Sequence, residues 1–339
     1  MLTAEVLDSI LARIPSLRIA VVGDLFLDRY LDIDPALTEP SLETGLDAYQ
    51  VVRVRPSPGA AGTVVNNLAA LGVGTIWPVA VIGDDGEGYE LRGALRALPG
   101  VNDDGVVVDR SRRTPTYTKP LLQRGNLPPQ ELNRLDIKNR APLSRQSEDI
   151  VLRLLDDLFP KADALVVLDQ VSEANCGVIS DRVREHLQAL GEHAPGKPLL
   201  ADSRARIGLF RSVWLKPNRG ECLRAAGLSN LDAGVEMLAR RCGRPVFCTC
   251  GEQGILVVDP RRQPAQPFVV PAYAVRGPID PVGAGDSISA ALACALAAEA
   301  SLPAAAAFAN LVASITITQL GTTGTASPEQ LRKRFQRLP

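Results

Sequence analysis

An α/β fold with a central, mainly parallel sheet and helices on both of its faces is predicted by three observations. Short apolar runs alternate with helical patterns along the chain. The first run, Arg18-Ile19-Ala20-Val21-Val22, is apolar after its opening arginine and leads into Gly23-Asp24, as a strand buried on both faces does. Nothing repeats at a fixed period, which argues against a solenoid. A helix over 4–14 precedes that strand, and further strands are expected at 75–82, 164–168, 198–201, 212–215, 245–250 and 254–258. Helical patterns occupy 62–71, 87–98, 146–158, 176–190, 219–226 and 231–241. The alanine-rich region 290–313 is broken by Glu299, Ser301 and Pro303 and reads as two core helices.

Two segments break the alternation. Residues 31–57 contain a half-alternating strand, Tyr49-Gln50-Val51-Val52-Arg53-Val54, after a loop with two prolines. Residues 105–137 hold strand-like pieces at 106–108, 116–119 and 132–137, with 126–130 as a mobile loop. These pieces are either a small separate sheet or extra edge strands of the main one.

The bulk composition narrows the function classes. The 339 residues carry a net charge of −1, which leaves no electrostatic footprint for nucleic acid or a membrane surface. The hydrophobic share of 46% is that of a soluble protein with a substantial core, and no secretory signal opens the chain. A cytoplasmic protein is therefore expected. Its six cysteines form no C-x-x-C pair; Cys248-Thr249-Cys250 would place two thiols on one face of a strand, as a redox or metal pair or as buried thiols. His186 and His193 fall at a helix end and are expected at the surface.

The most informative stretch is Asp280-Pro281-Val282-Gly283-Ala284-Gly285-Asp286-Ser287, ahead of an apolar helix over 288–298. Small residues at a helix start leave N–H groups uncovered, and the helix dipole adds positive potential, so the turn can hold an anion. A carboxylate beside such a loop suits a base that takes a hydroxyl proton while Gly283, Ala284 and Gly285 stabilise a phosphoryl group in transit. Helix capping by Asp286 is the alternative.

Other segments add to this. Asp24 and Asp28 follow the first strand, where ligands bind in open α/β sheets, and carboxylates accept hydrogen bonds from sugar hydroxyls. Asp24 equally suits simple turn chemistry. Pro58-Gly59-Ala60-Ala61-Gly62-Thr63 lets a ligand approach a helix N-terminus. In Lys216-Pro217-Asn218-Arg219-Gly220-Glu221 the lysine offers a point charge to phosphates, and Glu221 can hold water of a magnesium shell. Arg204, after Asp202-Ser203, faces the phosphates or forms a surface ion pair. Thr249-Cys250-Gly251-Glu252-Gln253-Gly254 is a glycine turn between two strands. No G-x-x-x-x-G-K-S/T is present, and no G-x-G-x-x-G follows a strand, which excludes a P-loop kinase and argues against a dinucleotide dehydrogenase.

D-P-V-G-A-G-D-S, the 58–68 segment and K-P-N-x-x-E together resemble the signatures of the ribokinase-type (PfkB) carbohydrate kinases, over about residues 18–331. The resemblance implies one ribokinase-like three-layer sandwich across 1–339, with 31–57 and 105–137 forming a small β-sheet lid. It implies ATP and Mg2+, and in some members K+, here near Asp280 and the 321–327 loop. It makes Asp28 the sugar-binding aspartate with Asp24 close by, and adds Gly59, Thr63 and Asn67. The nucleotide falls along Lys216, Asn218, Thr249, Gly251 and Gly254, with Asn310 near the adenine. Two departures stand out: Ala60 replaces the second glycine of the usual pair, and Thr63 replaces the usual sugar-binding asparagine. Gly83-Asp84-Asp85-Gly86-Glu87-Gly88 matches the family too, but a turn and helix start explain it as well.

Within the family the chain is most similar to the heptose-phosphate kinases, through G-D-x-x-x-D-R-Y at 23–30, T-x-T-K at 116–119 and Arg134-Leu135-Asp136. That likeness lets Lys119 and Arg134 hold the phosphate of a sugar phosphate. The H-x-G-H of bifunctional relatives does not occur. A nucleoside kinase, or a non-catalytic sensor on the same fold, is the alternative. Family members often dimerise through their lids, and Tyr49, Val51, Val52 and Val54 would allow it.

Overall fold

The computed structural model describes residues 2–125, 129–262, 265–321 and 323–338. Its strands are β1 (Arg18–Gly23), β2 (Leu25–Pro40), β3 (Asp47–Ala60), β4 (Thr75–Ile82), β5 (Val106–Val108), β6 (Thr116–Leu122) and β7 (Gln130–Glu131). They continue as β8 (Leu135–Ile137), β9 (Ala164–Asp169), β10 (Leu199–Ser203), β11 (Trp214–Leu215), β12 (Val246–Thr249), β13 (Ile255–Val258) and β14 (Phe268–Val270). The helices are α1 (Ala4–Arg13), α2 (Ala61–Leu71), α3 (Gly86–Arg96), α4 (Arg145–Leu158) and α5 (Asp181–His193). After them come α6 (Arg219–Ala226), α7 (Leu231–Cys242), α8 (Ala284–Ala297), α9 (Leu302–Thr316) and α10 (Pro328–Gln336).

The main sheet runs β14-β13-β12-β11-β10-β9-β1-β4-β5, parallel from β5 to β12 and antiparallel at β13 and β14. Alternation along β1 divides the interior. Ile19 and Val21 join a core with α2, α8 and α9, whereas Ala20 and Val22 join one with α4, α5 and α7. A strand whose neighbours in sequence both need burial demands helices on both faces, and the three layers follow. In α8 and α9 alanine lets two helices pack closely, with Ala290, Ala291, Ala305 and Ala309 fully buried. Side-chain caps fix most helix starts; Thr3, Asp85, Ser144, Ser180, Asn230 and Ser301 each accept a backbone N–H.

A second sheet, β3-β2-β6-β7 with β8 also on β6, grows directly out of the first. The chain leaves β1 at Gly23, passes Asp24, and enters β2 at once. It returns through β3 to α2, where Leu25 pairs with Ala60.

Several expectations need correction. Val106–Val108 belongs to the main sheet, parallel to β4, and not to the small one. Residues 31–40 are strand, not loop; shifts in register after Asp32 and Asp34 absorb Pro35. The helix expected from 176 begins at Asp181, because Ser180 caps it and the preceding residues are held by Asp24. The helix expected from 288 begins at Ala284, so the glycine motif is its first turn. The strand expected over 132–137 shrinks to Leu135–Ile137, and the one over 212–215 to Trp214–Leu215. Of the loop expected at 126–130, residues 126–128 lie outside the described residues.

Candidate active site

The site lies along the C-terminal ends of β1, β10, β11 and β12, where parallel strands deliver their last residues to one edge of the sheet. Lys216 follows β11 and Asp202 ends β10; Lys216 Nζ lies 2.9 Å from Asp202 Oδ2. Both are buried, at 3% and 6% exposure, so neither can be left unpaired cheaply. Burial presses the Lys216 pKa down, but Asp202, Glu221 and Asp286 outweigh it and hold the ammonium above its ordinary value. Ser289 Oγ, one turn into α8, donates to the same Asp202 oxygen at 3.2 Å. In the sequence Asp202 stands out only as a neighbour of Arg204, not as the lysine's partner. A carboxylate ending a buried strand beside a K-P-N segment is the signal that could have found it.

Gly283 caps α8 in the left-handed region, at φ 78°, which an L side chain resists. Ala284, Gly285 and Asp286 form the first turn. A Cβ on Gly285 would lie 3.5 Å from Lys216 Nζ, so the lysine sits against the bare backbone of that turn. Asp286 does not cap the helix, since among the described residues no side chain accepts at this N-terminus. Burial first, then repulsion from Asp202, pushes the Asp286 carboxyl up to about 7, against the pull of Lys216 and Arg204. Asp28 adds to the rise.

Glu221 and Asn218 complete a capping box at α6. Asn218 N donates to Glu221 Oε2 at 2.8 Å, and Glu221 N donates to Asn218 Oδ1 at 2.9 Å. Burial, followed by Asp202, raises the Glu221 pKa. Thr249 lies beside Asn218 in a parallel bridge, and its N–H donates to Pro217 O at 2.9 Å. Gly251 begins the turn that Gly254 ends; Gly254 has φ 93°, and a Cβ there would meet Val270 O at 2.1 Å. Asn310 Nδ2 donates to Val270 O and Pro271 O, both at 3.0 Å, so its amide pins the chain after β14. Asp280 Oδ1 and Oδ2 accept from Val282 N and Gly321 N, which ties the motif to the following loop.

On the other side, Asp28 and Lys119 come from β2 and β6. Lys119 Nζ lies 3.3 Å from Asp28 Oδ1 and 3.3 Å from Tyr30 Oη. Burial lowers the Lys119 pKa, and Asp28 and Tyr30 more than restore it. Gly59 backs onto Asp28, with a Cβ position 2.9 Å from its Cγ. Arg134 places its guanidinium carbon over the Tyr117 ring, 4.0 Å from the centroid, and binds Asp136 through both carboxylate oxygens. Its charge and that of Lys119 flank Asp28.

Asp24 is placed differently from the others. Its carboxylate accepts from Gln170 N at 2.8 Å, Val171 N at 3.0 Å and Val178 N at 2.7 Å. It therefore holds the distant 170–178 loop in place, a long-range role that differs from the local turn chemistry expected as its alternative. Thr63 and Asn67 are buried in α2; Asn67 Nδ2 donates to Thr63 O at 2.9 Å, and Asn67 Oδ1 has no partner among the described residues. Ala60, at the junction of β3 and α2, has φ 53° and ψ −118°, a conformation suited to glycine. Arg204 is exposed at the end of β10, and its charge reaches Asp286. Asp85 caps α3, as a turn and helix start require, and His186 pairs with Asp156 at the surface.

The model of the pfkB family carbohydrate kinases matches residues 18–330. The Bifunctional protein HldE of Desulfatibacillum aliphaticivorans is 30% identical over 335 residues, covering 96% of this chain and 64% of that protein. The chain thus spans less than two thirds of the length of the curated relatives it matches. Among solved structures, Arabidopsis thaliana ribokinase complexed with ribose and ATP superposes with a TM-score of 0.67 at 19% identity, over 94% of this chain and 99% of that one. An E. coli structure described as a ribokinase II in complex with ATP and Mg2+ gives 0.66 at 18%, over 95% and 99%. At these identities the structural likeness establishes the ribokinase-like fold.

Proposed function

Since this chain belongs to the pfkB family of carbohydrate kinases, we propose that it transfers the γ-phosphoryl group of ATP to a hydroxyl of a sugar phosphate, with a heptose 7-phosphate as the acceptor of choice. The observation that carries this reading is the position of Asp286. It stands in the first turn of α8, with its pKa raised to about 7 by burial and by Asp202. A carboxyl poised there takes a proton from a hydroxyl at neutral pH.

The surrounding groups suit phosphoryl transfer. The N–H groups of Gly283 and Gly285 offer donors to developing negative charge, while that of Ala284 donates to Pro281 O at 3.1 Å and shapes the turn that presents them. Lys216, fixed by Asp202 against Gly285, adds a positive charge beside them. Asp202, Glu221 and Asp286 all act on Lys216, but among the described residues no three metal-ligating side chains converge, so a divalent cation would arrive with the nucleotide's own oxygens and be held here through Glu221. Glu221 keeps one oxygen for water after its capping bond. Bound with ATP, magnesium supplies charge neutralisation between the phosphates. The nucleotide is assigned to Lys216, Asn218, Thr249, Gly251 and Gly254, with Asn310 acting through the backbone it holds.

The acceptor is assigned to the second sheet, which covers the site as a lid. Asp28, braced by Gly59, orients a sugar hydroxyl, and the unpartnered Oδ1 of Asn67 suits another hydroxyl donor. Asp24 and Thr63 shape the pocket through backbone contacts. Lys119 and Arg134 hold the acceptor's phosphate, which favours a sugar phosphate over a nucleoside. Asp280 and the loop after Gly321 are assigned to a potassium ion; equal rates in sodium and potassium overturn that part. Tyr49, Val51, Val52 and Val54 are exposed on β3, and a second copy of the chain is the partner proposed for them. Sedimentation as a monomer at assay concentration overturns it.

The test is ADP release from ATP and magnesium across sugars, sugar phosphates and nucleosides, beside Asp286→Asn. Turnover confined to phosphorylated sugars and lost in the variant is the expected result. ATP binding without turnover on any acceptor points instead to a sensor.

A further inference from the structure

We propose that Cys250 and Cys248 form a peroxide-sensitive thiol pair, and that their disulfide disturbs the turn joining β12 to β13. Cys250 is only half-buried and lines a cleft of about 280 Å3 with Arg219, Asn230, Asp232 and Gln253. Cys248 is fully buried, one strand repeat back, and the thiols of Cys222 and Cys250 are near enough to push its own pKa up. Cys250 bends back along the chain, with Sγ donating to Cys248 O at 3.4 Å. The accessible sulfur is thereby already turned toward its buried neighbour. Contact with the Cys248 thiol also lowers the Cys250 pKa, and Arg219 favours its thiolate.

The chemistry needs hydrogen peroxide as oxidant. The Cys250 thiolate attacks a peroxide oxygen; an S–O bond forms, the O–O bond breaks, and the departing hydroxide takes a proton as water. Cys250 is then a sulfenic acid. Cys248 sulfur attacks it; the S–S bond forms, the S–O bond breaks, and the hydroxyl leaves as water with the thiol proton. Two thiols are oxidised, and one peroxide is reduced to two waters. Cys222 packs behind Cys248 and is sealed from solvent.

The position gives the pair a consequence. Thr249 sits between the two sulfurs and bridges Asn218, while Cys250 N donates to Gly254 O at 2.8 Å. Drawing the two side chains together must shift this backbone. That its shift weakens ATP binding rests on the kinase reading above; the disulfide itself does not.

The full chain, treated with hydrogen peroxide, should lose two hydrogens by intact mass. Peptide mapping should place the bond between Cys248 and Cys250. Cys250→Ser should form no disulfide, and Cys248→Ala should carry Cys250 on to the sulfinic acid. Because Cys248→Ala perturbs a buried site, Cys222→Ala serves as the packing control and should still form the bond. ATP affinity, read by calorimetry without acceptor, should fall by about tenfold in the oxidised protein and return with dithiothreitol. A disulfide elsewhere, or overoxidation of wild-type Cys250 without one, overturns the pair. A correct disulfide with unchanged ATP affinity overturns its effect. Failure of the reduced protein to bind ATP counts against the kinase reading and leaves the thiol chemistry standing.

Discussion

Lys216 and Asp202 form an ion pair of 2.9 Å with both side chains sealed from solvent, directly beneath the first turn of α8. Removing one partner strands the other charge in the interior. Lys216→Met should cost about 3–5 kcal/mol of stability, read as a lower urea midpoint. It should also abolish turnover. The double variant Lys216→Met with Asp202→Leu should recover much of the stability and none of the activity. Equal stability of wild type and Lys216→Met would show that the pair is not buried as described.

Asp286→Asn should lower turnover by at least about 100-fold, with ATP affinity little changed. In the wild type, kcat/KM should fall as pH drops below about 7, the pKa that burial and Asp202 impose, because the protonated carboxyl cannot accept the hydroxyl proton. Stability has its own pH dependence. A carboxyl raised from 3.8 to about 7 binds its proton more tightly in the folded state. Folded wild type therefore loses stability as pH climbs through that window and is penalised most above it. Asp286→Asn should be more stable than wild type at pH 8, with the advantage vanishing toward pH 4. Thermal unfolding at both pH values, without nucleotide, decides the matter.

Ala60 holds a backbone conformation that costs an L residue about 1–3 kcal/mol. Ala60→Gly should relieve that strain, less about 0.5–1 kcal/mol for the freer unfolded chain. A net gain of about 1 kcal/mol in denaturant unfolding is expected. A loss would mean that the alanine methyl makes packing contacts that outweigh its strain.

Lys119→Met tests the acceptor. The ammonium is held by Asp28 and Tyr30 and stays charged through neutral pH, since these partners keep its pKa above the ordinary value. Loss of a charge-assisted bond to the acceptor's phosphate should raise KM for a sugar phosphate by about 10- to 100-fold and leave KM for ATP unaltered. If both constants move together, the residue supports the second sheet as a whole and does not read the phosphate.

Much of this architecture was legible because buried parallel strands are apolar runs of fixed length, and β1, β4, β9 and β10 all carry that signature. The motifs at 216–221 and 280–287 were legible for a related reason: a helix start stripped of side chains is rare unless something must approach it. Other features depend on partners far away in sequence. Three valines at 106–108 pair as readily with β4 as with the second sheet, and only the main sheet's free edge decides between them. The strand over 31–40 is masked by proline and charge, and the shifts that absorb them belong to the pairing with β3. Asp24 reads as a ligand or as a turn residue until the 170–178 loop arrives to occupy it. The strain at Ala60 has no sequence signature beyond the missing glycine.

The strand β1 lies inside its sheet, third from the β5 edge, yet it runs directly into a sheet of its own making. Its neighbour β9 arrives only after the whole of the second sheet and α4, and Asp163 N must reach back to Arg18 O. The β2–β3 hairpin, by contrast, closes over a short turn and needs nothing from downstream. On the ribosome, the second sheet is therefore complete while β1, already paired with β4, still waits for its other neighbour, an order set by contact distance along the chain. Until residues 164–169 emerge, β1 has an open edge, and that interval is when the nascent chain most needs protection from aggregation.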